Sequence, residues 1–252
     1  MRTRVVVTAV AVLLMMASAA EAQRSGRGYG SRQGPQLAGN VSFGVVGATP
    51  IGDLGSFFDA GFGAQFSGAV AVGAEGRVRL RGQLGFLNYG IERQQFCFSL
   101  PIGCRVDLDL TTTNNIFFGS VGPEVAFPQG RFEPYVHVGG GFAAFVTSSS
   151  LDDGYDHGRD FGSTTHLSDA VLSWTAGGGI RIRLSEGRKP VSLDLGVDRQ
   201  ENGVAEFLTE GDIIDHPDGS ITVFPNRSAA NLMTFRVGIS IGIPHKGDRR
   251  RR

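Results

Sequence analysis

Hydrophobic and polar positions alternate with a period of two over most of the chain beyond residue 36. Val78, Leu80, Leu84 and Phe86 interleave with Arg77, Arg79, Arg81 and Gln83. Val191, Leu193, Leu195 and Val197 interleave with Ser192, Asp194, Gly196 and Asp198, and Phe235, Val237, Ile239 and Ile241 with Thr234, Arg236, Gly238 and Ser240. Successive side chains of a strand point to opposite faces, so this pattern predicts strands with one apolar and one polar or small face. Eight such segments are read: 37–48, 62–72, 78–91, 115–127, 132–147, 171–184, 191–199 and 232–243.

The connections sort by length. Gly73–Arg77, Pro128–Arg131 and Ser185–Pro190 are short, while those after the first, third, fifth and seventh strands are long and polar, up to Gln200–Asn231. In an up-and-down barrel, odd and even connections lie at opposite ends, and transmembrane barrels keep one set short. An even strand number leaves both chain ends on the short-turn side.

Composition narrows the class. The chain has 38 Gly and 18 Phe in 252 residues, and 19% of it is charged. That much glycine disfavours helices, where each costs about 1 kcal/mol. Net charge is +0, which gives the whole chain no footprint for nucleic acid. Arg2 and Arg4 precede an apolar run from Val5 to Met16, and Ala20-Glu21-Ala22 follows. This predicts a secretory signal peptide over 1–22, since a dozen apolar residues fall short of the ~20 needed to span a bilayer as a helix. Residues 23–36 form a Gly-, Arg-, Ser- and Gln-rich lead-in, 37–244 the barrel, and 245–252 a basic tail.

With its export signal, eight alternating segments and Gly-aromatic composition, the chain resembles the small outer-membrane barrel family that includes OmpA and OmpX, over 37–244. The resemblance implies an all-β, eight-stranded antiparallel up-and-down transmembrane β-barrel in the bacterial outer membrane. Its implied partners are outer-membrane lipid, lipopolysaccharide, the barrel-assembly machinery and an external ligand at the long loops. No cofactor is expected.

The polar face carries small residues such as Ser173, Thr175, Gly177 and Gly179, which suit the inside of a narrow barrel. The apolar face carries Phe43, Phe66, Phe86, Phe132, Phe142, Trp174 and Phe235 and is read as facing lipid. Charges on the enclosed face are Arg79, Arg81, Glu124, Glu133, His137, Arg181, Arg183, Asp194 and Arg236. Strand by strand their signs alternate in blocks, so an internal ion-pair network that closes the lumen is expected, because a charge taken out of water is costly unless paired. A gated ion path is the functional alternative.

Other candidate chemistry is sparse. Cys97 and Cys104, with Pro101 and Gly103 between them, read as a local disulfide in a loop of an exported protein. His166-Leu167-Ser168 has the spacing of a His-x-Ser base–nucleophile unit but falls in an apparent loop, so no catalytic residue is assigned. Asp152, Asp153, Asp156, His157 and Asp160 offer ligands to a cation without the spacing of an EF-hand, and no metal site is assigned. Asp218-Gly219 between apolar runs reads as a hairpin that extends the last two strands into a ribbon. The function expected is structural or surface-interactive. An OmpW-like passage for small apolar solutes and a lipid-modifying enzyme are the alternatives.

Overall fold

The computed structural model describes residues 37–72, 76–100, 103–153, 160–187, 189–209, 211–215 and 221–244, with side chains described except at 94–109, 151–162 and 214–221. The expected signal segment 1–22, lead-in 23–36 and tail 245–252 lie outside these residues, as do Asp156, His157 and Asp218-Gly219.

The strands are β1 (Leu37–Pro50), β2 (Gly61–Ala71), β3 (Val78–Leu100), β4 (Gly103–Ala126), β5 (Phe132–Asp153), β6 (Asp160–Arg183), β7 (Val191–Asn202), β8 (Val204–Phe207), β9 (Ile213–Asp215), β10 (Ile221–Val223), β11 (Asn226–Ala229) and β12 (Leu232–Pro244). β1 to β7 and β12 close in sequence order into an eight-stranded barrel, every neighbour antiparallel, with β12 pairing back onto β1 from Leu37↔Pro244 to Pro50↔Leu232. This is the up-and-down barrel expected from the pattern. The short turns are tight: around Pro128–Arg131, Gln129 and Phe132 exchange backbone hydrogen bonds of 2.7 and 3.1 Å while Gly130 takes φ 63°, a conformation that disfavours a Cβ.

The outside of the barrel is apolar. Phe43, Phe66, Phe86, Phe132, Phe142, Trp174 and Phe235 are all exposed, and Val45, Leu84, Val121, Val138 and Val237 continue the belt between them. Water-soluble monomers rarely expose contiguous apolar patches beyond a few hundred Å². The inward positions include polar residues such as Ser42, Gln65, Ser67, Gln83, Ser173, Thr175 and Ser240, all buried.

Two expectations need correction. First, the connections after β3 and β5 are not long loops. β3 to β6 run 22–24 residues each, against 11–14 for β1, β2, β7 and β12. About ten residues cross a bilayer as a tilted strand, so β3–β6 continue past the rim as a four-stranded sheet. There the pattern changes to hydroxyls on both faces: Thr111, Thr112 and Thr113 pair with Ser150, Ser149 and Ser148, which pair in turn with Ser163, Thr164 and Thr165. Such rows have strand propensity but no amphipathic period, which is why they read as loop. Second, β7 and β12 do not continue as a straight ribbon. The ribbon breaks after Asn202, whose side chain donates to the Ala230 carbonyl at 2.5 Å, and resumes as β8–β11, with β9–β10 as a separate hairpin.

Candidate functional site

The interior has two layers. In the half nearest the short turns, β3, β4, β5, β6, β7 and β12 each point charged side chains inward. Glu124 on β4 is the hub, fully buried. It accepts from Arg181 at 2.9 Å (Nη1 to Oε1) and 2.7 Å (Nη2 to Oε2), a bidentate pairing, and from Arg81 Nη1 at 2.9 Å. Arg79 grips Glu133 through two bonds of 2.7 and 3.1 Å and reaches Glu124 at 3.4 Å, while Arg181 also donates to Glu133 at 2.8 Å. Bidentate guanidinium–carboxylate pairs are among the stronger charge-assisted hydrogen bonds.

A second knot lies beside the first. Tyr135 donates to Asp194 Oδ1 at 2.7 Å and accepts from Arg236 Nη2 at 2.6 Å, and Arg236 Nη1 donates to Asp198 Oδ2 at 3.1 Å. The Arg181 guanidinium lies 4.0 Å from the centre of the Tyr135 ring, joining the two knots by a cation–π contact. His137 stacks on Tyr135 and places Nε2 3.4 Å from Asp198 Oδ1. Small residues make the room: a Cβ at Gly179 would strike the Tyr135 hydroxyl, and one at Gly196 the Arg236 guanidinium.

Of the nine charges expected to face inward, the structure brings together Arg79, Arg81, Glu124, Glu133, His137, Arg181, Asp194 and Arg236. Arg183 stands apart: it is the last residue of β6 and joins no ion pair among the described residues. Asp198 and Tyr135 belong to the network and were not singled out. Asp198 has the same parity on β7 as Asp194, so the period-two pattern already pointed it inward. Four arginines thus face four carboxylates, and the buried charge sums to zero with His137 neutral.

The half nearest the long connections is apolar, not polar as expected. Val46, Leu87, Ile116, Phe118 and Phe145 face inward from the wall, and Leu54 of the 3-10 turn Gly52–Ser56 and Phe207 of β8 close over them, all essentially buried. Phe145 packs against Tyr89 and Phe207 with ring centres 6.4 and 5.8 Å apart, and Phe207 meets Phe57 edge-on at 5.1 Å. The lumen is therefore stoppered twice, by ion pairs below and an apolar lid above.

The remaining candidates resolve differently. His166 lies on β6, not in a loop, and its Nε2 meets Ser149 Oγ at 2.9 Å, with Thr112 Oγ1 2.6 Å from the same hydroxyl. Ser168 is not its partner. No described carboxylate orients the imidazole, and the contact caps the hydroxyl rows. Cys97 and Cys104 fall on β3 and β4, not in a loop. Cys97 is registered with Asp107 and Cys104 with Ser99. Their side chains lie outside the described ones, as do those of Asp152, Asp153 and Asp160. Among the described residues no group of acidic, His or Cys side chains is placed to hold a metal ion.

No family model and no curated protein matches the chain. Among solved structures it is similar to Neisserial surface protein A, at 12% identity over 82% of this chain and 97% of that one, with a TM-score of 0.36. It is also similar to Ail, the attachment invasion locus protein of Yersinia pestis, at 11% identity over 82% and 99% with a TM-score of 0.41. A major outer membrane protein from Thermus thermophilus aligns at 14% identity over 81% and 99%, with a TM-score of 0.43. At these scores the likeness adds nothing to the barrel, which rests on the chain's own strand pairing.

Proposed function

We propose that this chain is a non-enzymatic bacterial outer-membrane barrel that acts as a sealed anchor. Its working surface is the four-stranded sheet that rises past the rim, together with the long connections. The observation that carries the reading is the inverted distribution of side chains: large apolar groups form the exposed belt, and eight mutually paired charges lie inside. Hydrocarbon is the solvent that suits the first, and enclosure the second. The hydroxyl rows of β4–β6 mark where the belt ends, and above them both faces suit water. Outer-membrane lipid and lipopolysaccharide surround the belt, the assembly machinery inserts it, and an external partner meets the sheet.

The belt is tested by Val237→Arg. Val237 is 52% exposed at mid-height of β12. On a water-facing surface this change is close to neutral. On a lipid-facing one near the midplane it costs about 2–4 kcal/mol, read by urea titration of the barrel folded in phospholipid vesicles. A neutral result would defeat the membrane reading.

Closure makes a second forecast. Reconstituted in planar bilayers, the chain is expected to show no stable open conductance, since a path would have to part both the ion pairs and the lid. A sizeable steady single-channel current would contradict it. The non-enzymatic reading is checked by incubating the folded protein with lipopolysaccharide and finding its mass unchanged.

A further inference from the structure

The net charge of +0 conceals a strong polarity. Among the described residues the short-turn side has Arg77, Arg131, Arg183 and Lys189 in its turns and strand ends, against Glu186. That is four basic residues to one acidic. Among the described residues the long-connection side and the sheet above it hold four basic residues to thirteen acidic, and the four arginines and four carboxylates of the lumen cancel.

At the short-turn mouth Arg79, Arg131, Arg181 and Arg183 line a pocket in which Glu133 is the single carboxylate. Arg79 and Arg181 are committed to Glu133 and Glu124. Arg131 and Arg183 meet no carboxylate among the described residues; Arg131 donates only to the Arg183 carbonyl, at 3.4 Å. Their chain neighbours Phe132 and Leu184 are 51% and 55% exposed on the apolar belt. The two residues therefore lie at the height where the belt ends, the level of lipid headgroups, while their own side chains, on the parity of Glu133 and Arg181, line the mouth of the lumen.

From this we infer that the short-turn mouth binds the phosphate of an anionic phospholipid in the adjoining leaflet, Arg131 and Arg183 holding the phosphate and the surrounding basic excess selecting a headgroup of net negative charge. Paired arginines fit a phosphate bidentately, and basic residues beside a membrane draw anionic lipid to it. The inference rests on the membrane reading. The acidic sheet at the other end faces away from that leaflet, so the charge polarity also favours one orientation across the bilayer.

The test is lipid retention. The mature chain, folded in detergent with equal amounts of phosphatidylglycerol and phosphatidylethanolamine, is examined by native mass spectrometry. Phosphatidylglycerol is expected to be retained several-fold over phosphatidylethanolamine. Arg131→Gln with Arg183→Gln should remove most of that preference while the barrel keeps its heat-dependent gel migration, and Arg227→Gln on the opposite side should leave it intact. Equal retention by the unaltered chain, or a preference that survives the double substitution, overturns the proposal. So does displacement of the lipid by millimolar inorganic phosphate, which would make the mouth a free-anion site, or binding to purified peptidoglycan with no lipid preference. A barrel that folds and inserts without selecting lipid fails this proposal alone, whereas a chain that never inserts fails the membrane reading with it.

Discussion

Glu124→Gln is expected to destabilise the barrel by about 3–5 kcal/mol, the usual effect of deleting one partner of a buried ion pair. Glu124 is fully buried and accepts from Arg81 at 2.9 Å and bidentately from Arg181. Gln has nearly the same shape, so packing is preserved and the loss is electrostatic. The amide keeps one acceptor oxygen, offers hydrogens to guanidinium groups that need none, and leaves the lumen with one uncompensated positive charge. The measurement is the urea midpoint of the barrel in vesicles, with heat-dependent migration as a check on folding. A companion substitution, Ser67→Ala, removes the 3.2 Å hydrogen bond that its hydroxyl accepts from Arg81 while leaving the charge balance intact, and should cost about 1.5–3 kcal/mol. Equal effects from the two would mean that charge balance does not organise this interior.

Much of that interior was legible in the sequence, because a strand commits alternate residues to one face. Once Arg79 and Arg81 face inward on β3, the parity of β4 to β7 and β12 places Glu124, Glu133, Arg181, Asp194 and Arg236 on the same side. What parity cannot give is height. Arg183 shares its face with Arg181 but sits at the strand's end, outside the level of the carboxylates. The apolar lid was hidden for a related reason. On β4 the run Ile116-Phe117-Phe118 has no period of two, so nothing in the pattern says that Phe117 meets the outside while Ile116 and Phe118 fill the lumen. Leu54, Phe207 and Leu208 close the lid from connections whose own composition carries no barrel signal. The hydroxyl rows carry no period of two because both of their faces are polar, although Ser149 itself is buried.

Phe145→Ala should cost about 3–5 kcal/mol, as for other buried aromatics, and Phe142→Ala, three residues away on the same strand, far less. The pair separates the two sides of the wall. Phe145 is 1% exposed and is clasped by Tyr89 and Phe207, so its removal leaves a cavity bounded by a closed ring of strands that cannot collapse inward without parting their hydrogen bonds. Phe142 is 45% exposed on the belt, where lipid chains flow into the space a truncated ring vacates. In a water-soluble barrel with these apolar groups on its surface, Phe142→Ala would instead raise solubility and stability. Urea midpoints of the two variants in vesicles therefore weigh the inner lid against the outer belt. If Phe145→Ala is as mild as Phe142→Ala, the lid does not hold the upper lumen shut. Closure would then fall to the ion pairs alone, and solute passage should be sought from the long-connection side.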